Sequence, residues 1–125
     1  MIFFTKAISN LMSGSLNEGT SHWLMQRVSS VLLIPLTVMF VYIFVNNFDL
    51  GYEQNLLIYK EPFYAFCTFL FLSITLWHFK QGAQVVIEDY VGSEWGRISS
   101  IIVFKAILIL LATLSALSLL KIVSI

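Results

Sequence analysis

His78 is the one histidine that lies inside a membrane-length apolar run of this chain, near the C-terminal end of the second of three such runs. Ionisable or metal-ligating side chains at membrane depth are costly and tend to carry function. Its neighbours are Trp77-His78-Phe79-Lys80-Gln81-Gly82, followed by Glu88-Asp89-Tyr90. Imidazole nitrogen is a standard axial ligand to haem iron, so the segment reads as a metal ligand followed by a polar patch at the membrane surface. The other histidine, His22, precedes the first run and is badly placed to ligate the same iron. A haem held by His78 must therefore be shared with another protein.

At about 100° per residue, Gly82 lies about 40° from His78 on the same helix face, where a planar macrocycle can approach the backbone. Asp89 falls about 20° from His78 and about 16 Å further along the axis, provided the helix stays regular that far. Lys80 lies about 200° round the helix and must snorkel to the interface or find an acid. Cys67 shares the His78 face but sits about 16 Å toward the other leaflet, too far for joint ligation. As the only cysteine it forms no intrachain disulfide, and it reads as a small buried hydrophobe. The competing reading of His78 is a packing histidine that satisfies a neighbouring helix.

The elements that must position these residues are membrane helices. A chain of 125 residues that is 58% apolar and 11% charged cannot hide that surface in one small soluble core, so the fold class is an all-α membrane protein. A net charge of zero argues against a nucleic-acid partner. The first span is residues 28–45, about 27 Å as a helix against a hydrocarbon core of about 30 Å. Pro35 removes one backbone hydrogen bond inside it, to be re-satisfied by a neighbour or by a hydroxyl such as Ser30. The second span, 62–87, opens on Pro62, which suits a first helical turn. Lys80 and Gln81 bring its last two turns toward the headgroups. The third, 98–120, carries Lys105 near its start, placed to snorkel.

Residues 46–61 and 88–97 are connections. Residues 1–21 form a retained N-terminal leader, loosely structured over 9–21, with an interfacial turn at His22-Trp23, and 22–125 form one anchor domain. Lys6, Arg27 and Arg97 against Lys60 and Lys121 put the N-terminus in the cytoplasm and the C-terminus outside.

With Arg27 just before the first span, and His78-x-x-x-Gly82 followed by Asp89-Tyr90 in the second of three, residues 22–120 resemble the smaller hydrophobic membrane anchor of succinate dehydrogenase, respiratory complex II. The resemblance implies three transmembrane helices packed on a homologous three-helix anchor of the cytochrome b type, with haem b between the two. It implies His78 as an axial iron ligand, Arg27 at a haem propionate, Tyr90 donating to a ubiquinone carbonyl oxygen, and Asp89 supporting that site and its proton supply. It also implies a flavoprotein and an iron-sulfur subunit on the cytoplasmic face of a bacterial inner membrane. This sequence has neither a dinucleotide fingerprint nor a cysteine cluster with which to hold those centres itself.

The side-chain chemistry suits these roles. A phenol O–H donates, and a guanidinium forks around a carboxylate. Plainer alternatives stand beside them: Arg27 as a topology anchor, Asp89 as a solvated carboxylate, His22-Trp23 as an interfacial anchor. At the level of function the alternatives are a small multi-span transporter or assembly protein with His78 and Lys80 on a polar path, and a purely structural anchor.

Overall fold

The computed structural model describes residues 18–125, which fold into four helices: α1 (Glu18–Asn47), α2 (Tyr52–Lys60), α3 (Pro62–Tyr90) and α4 (Glu94–Ser124). The expected leader up to residue 17 lies outside the described residues. Three of the helices, α1, α3 and α4, are long and apolar enough to cross a membrane.

All three exceed the expected spans. Helices of 30, 29 and 31 residues are about 45 Å long, half as long again as the hydrocarbon core. Residues 18–21 and His22-Trp23 belong to α1 rather than to a loose leader and a turn. Ser, Gly and Thr are weak helix formers alone, but extending a helix already nucleated in the membrane avoids the nucleation cost. The 88–97 connection likewise shrinks to Val91, Gly92 and Ser93, because α3 runs on to Tyr90 and α4 starts at Glu94.

That tight turn is built by its caps. The Val91 N–H donates to Ile87 O at 3.0 Å and closes α3, while the Gly96 N–H donates to Ser93 Oγ at 3.2 Å and opens α4. A Cβ on Gly96 would collide with the Ser93 hydroxyl, so the cap requires glycine there. Pro62 occupies the first turn of α3 as expected.

Two details differ from the sequence reading. The 46–61 connection contains α2, with Glu53 in its first turn and Lys60 in its last, both favourable to the helix dipole. Asn55 clasps the preceding turn, its Nδ2 donating to Leu50 O at 2.9 Å. Ser30 does not serve the gap at Pro35: its hydroxyl donates to Gln26 O at 2.8 Å, one turn before itself.

α3 packs on α1 along one flank and on α4 along another. The Phe40 and Phe71 rings stack with centroids 4.4 Å apart, and the Ser29–His78 contact lies further along the same antiparallel seam. Phe79 and Phe104 meet at 5.5 Å and set the register of α3 on α4. By these registers Arg27, Lys80 and Lys105, one on each long helix, fall within about 3 Å of a common depth.

Among the described residues the buried set is small and half polar: Ile43, Ala65 and Leu108 beside Ser29, Thr68 and Gln81. Large apolar side chains such as Ile34, Val38 and Leu117 are more than 60% exposed. Such a surface matches lipid rather than water as the solvent.

Candidate functional site

His78 is half-buried at the seam of α3 with α1. Ser29, buried on α1, meets it: Ser29 Oγ lies 2.9 Å from His78 Nδ1 and 2.9 Å from the carbonyl oxygen of Gln26. The carbonyl oxygen of Gln26 also takes the Ser30 hydroxyl, at 2.8 Å. With the Ser29 proton on Gln26, the Oγ lone pair receives the Nδ1–H of the imidazole; with that carbonyl served by Ser30, Ser29 donates to Nδ1 instead. The first arrangement leaves Nε2 its lone pair, which is the metal-binding form, with the other nitrogen anchored by a hydrogen bond.

A cavity of about 310 Å³ adjoins the imidazole, lined by Trp23, Gln26, Arg27, Ser30 and His78. A second, of about 530 Å³, is lined by Gly19, His22, Trp23, Gln26, Gln84, Val85 and Glu88. The two share Trp23 and Gln26 as walls, so polar space runs from His78 toward the ends of α1 and α3. The Arg27 guanidinium stands 5.5 Å from the centre of the Trp23 ring, one helical turn away. Gln84 Nε2 donates to Glu88 Oε1 at 2.8 Å on the opposite wall.

His78 and Arg27 are thus brought to one cavity. Asp89 and Tyr90 are not: both are exposed at the end of α3, Tyr90 at 84%, and neither lines these cavities. The condition placed on Asp89 is met, since α3 is helical through Tyr90. A Cβ on Gly82 would meet only Gln26 Nε2, at 3.7 Å, so the chain's own packing does not demand glycine there. Cys67 is half-buried with a free thiol.

Sequence reasoning missed Ser29, Gln26 and Gln84. The available signal was Gln26, Ser29 and Ser30, polar residues three and four apart at the mouth of an apolar run. Such a cluster on a membrane helix faces the protein interior. Gln81 is a further omission: it is buried on α3 and its Oε1 has no hydrogen-bond partner among the described residues.

Residues 5–117 match the family of succinate dehydrogenase/fumarate reductase transmembrane subunits. The chain belongs to this family. Curated members called succinate dehydrogenase hydrophobic membrane anchor subunit are similar to it over most of their length. The one from Rickettsia typhi is 33% identical over 112 residues, 88% of this chain and 90% of the relative. The one from Paracoccus denitrificans is 35% identical over 94 residues, 75% of this chain and 71% of the relative. A succinate dehydrogenase membrane anchor subunit from Reclinomonas americana is 31% identical over 97 residues, 74% and 79% respectively. No solved structure matches the chain. A multi-pass hydrophobic anchor accounts for the three apolar helices and for the sparse core they leave.

Proposed function

We propose that this anchor serves a succinate:ubiquinone oxidoreductase by supplying one ligand to a haem b and by helping to form the site where ubiquinone is reduced. The observation that carries the reading is the Ser29–His78 hydrogen bond, which engages Nδ1 and so keeps Nε2 for a ligand, beside a cavity that also holds Arg27. The residues fit the group as half a site: one imidazole, one guanidinium and walls from α1 and α3 alone. A second anchor subunit of the cytochrome b type would supply the other ligand and close the cavity.

Each side chain then has a stated task. His78 Nε2 would hold the haem iron, with Ser29 fixing the orientation of its imidazole. Arg27 would pair with a propionate at the boundary, where a permanently charged, forked donor suits a carboxylate. Haem, when bound, supplies one-electron storage beside the route to quinone. Tyr90 donates its phenol proton in a hydrogen bond to a quinone carbonyl oxygen, and Asp89 beside it relays protons from water. Ubiquinone takes up two electrons and two protons and leaves as ubiquinol. The high exposure of Tyr90 and Asp89 suits residues whose partners belong to other subunits. Electrons arrive from an iron-sulfur subunit, fed by a flavoprotein, both docked on the cytoplasmic face of a bacterial inner membrane. The N-terminus lies on that face and the C-terminus in the periplasm.

The test is a reduced-minus-oxidised absorption spectrum of the purified complex, wild type beside His78→Ala, with subunits identified by mass. A b-type signal that is lost in the variant, in company with flavoprotein and iron-sulfur partners, is the expected result. A signal unchanged in His78→Ala would leave a structural anchor, and a wild type with neither haem nor soluble partners would favour the transporter or assembly reading.

A further inference from the structure

Lys80 is the membrane-depth cation that the haem and quinone roles leave unused, and the structure gives it company. Its Nζ stands 4.8 Å from the centre of the Trp77 ring. On α4, Lys105 lines the same cavity of about 280 Å³. The lining repeats with helical spacing on both sides: Ser73, Leu76, Trp77 and Lys80 from α3, and Lys105, Leu108, Ile109 and Ala112 from α4. Positions separated by three, four and seven share one helix face, so each set forms a continuous strip.

Because α3 and α4 are antiparallel, with Phe79 against Phe104, the two lysines lie at one end of this groove and Ser73 and Ala112 at the other. The strips extend about 10 Å from the lysines into the bilayer. Among the described residues no carboxylate lines the groove, so two ammonium groups share one small space without a counter-charge from these walls. The groove also opens to the lipid side, where Ile109 is 65% and Trp77 47% exposed. Its shape therefore matches an amphiphile with an anion at one end and a hydrocarbon tail at the other.

We propose that the α3–α4 groove is a binding site for an anionic phospholipid, its phosphate held between Lys80 and Lys105 and one acyl chain lying along Leu76, Leu108 and Ile109. The depth is appropriate, since Arg27, Lys80 and Lys105 share one level and long basic side chains reach from such a level to the headgroups. The charge is complementary. Trp77 lies beside the headgroup, where indole is favoured, and its ring face steadies the Lys80 ammonium. A lysine near a negatively charged headgroup strengthens binding about fivefold. The site is independent of haem: it lies on the other flank of α3 from the His78 cavity and shares no residue with it.

The experiment uses the intact complex in mild detergent, incubated with equal amounts of phosphatidylglycerol and phosphatidylcholine, with retained lipids counted by native mass spectrometry. Wild type is expected to keep phosphatidylglycerol in preference to phosphatidylcholine. Lys80→Gln and Lys105→Gln should each reduce the preference about fivefold, and the double variant about 25-fold, whereas Lys80→Arg with Lys105→Arg preserves it. If the glutamine variants do not assemble, the wild-type complex still decides the matter. A photoactivatable phosphatidylglycerol should label residues 73–80 and 105–112. Labelling spread evenly over the lipid-facing helices, labelling absent because another protein subunit covers the groove, or an unchanged preference in the double variant would overturn the proposal.

Discussion

His78 and Lys80 are two residues apart on α3, at nearly the same depth, yet they face different worlds. His78 turns to α1, where a buried serine anchors its ring and polar space surrounds it. Lys80 turns to α4, where aromatic and aliphatic side chains and a second lysine form its surroundings. A step of about 200° on one helix separates a seam organised by hydrogen bonds from a groove of apolar side chains and two ammonium groups. The contrast teaches that cavity volume says little about chemistry. The apolar cavity between Pro62 and Val123, at the other end of α3 and α4, measures about 320 Å³, as large as the space beside His78, yet its lining offers no hydrogen-bonding side chain among the described residues.

The largest expected effect that would sharpen this comparison is qualitative: His78→Ala abolishes the b-type spectrum while Lys80→Gln leaves it intact. Loss of haem in both variants would erase the distinction between the two flanks. Next comes Ser29→Ala, which strips the imidazole of its anchor without touching the ligand itself. Losing the hydrogen bond that holds a metal-ligating imidazole weakens metal binding about 10- to 100-fold, so haem should transfer to a soluble acceptor protein that much more readily. The haem midpoint potential should also rise, because an imidazole that no longer donates its Nδ1–H is a poorer electron donor to ferric iron. Ser30→Ala serves as the control, since its hydroxyl bonds Gln26 O but not His78. Equal effects from the two serines would remove the special role given to Ser29.

A smaller effect belongs to Tyr90→Phe. Removing one neutral hydrogen bond, about 0.5–1.5 kcal/mol, should lower kcat/KM for quinone about two- to tenfold with the haem spectrum unchanged. Full activity would remove Tyr90 from the quinone site. The smallest concerns the turn that holds α3 and α4 together: Gly96→Ala crowds the Ser93 cap and should cost about 1 kcal/mol. Thermal unfolding of the complex in detergent reads this as a lower midpoint, with haem content and quinone turnover preserved below it.

Much of the architecture was legible before any coordinates. Pro62 at a helix start, and uncharged stretches long enough to cross hydrocarbon, are local signals, and each expected span lies inside an observed helix. The short helix α2 was not legible, because its nine residues are too few and too polar for a hydropathy argument. Its signals were the acid in its first turn and the base in its last. The extensions of α1, α3 and α4 beyond the expected spans escaped for a related reason, since the Gly-, Thr- and Ser-containing start of α1, the Glu88-Asp89-Tyr90 end of α3 and the polar start of α4 read as loops until they are attached to a long helix.

His78 and Arg27 could be singled out from position and chemistry alone, because charge and imidazole are costly at membrane depth wherever the helices pack. The role of Ser29 could not be. It depends on a residue 49 positions away in sequence, and thus on the register of α1 against α3, which stacked rings at Phe40 and Phe71 help to set.

The sequence by itself determined the solvent, the number of crossings and the depth of the histidine, all of which follow from where apolar runs begin and end. Only the tertiary structure decided which nitrogen of His78 Ser29 holds, which cations share a groove, and that Tyr90 and Asp89 look away from the chain's own core. Hydropathy is summed along the chain, whereas a proton's position and a side chain's neighbours are settled across helices. There, a shift of one residue would turn Ser29 away from His78.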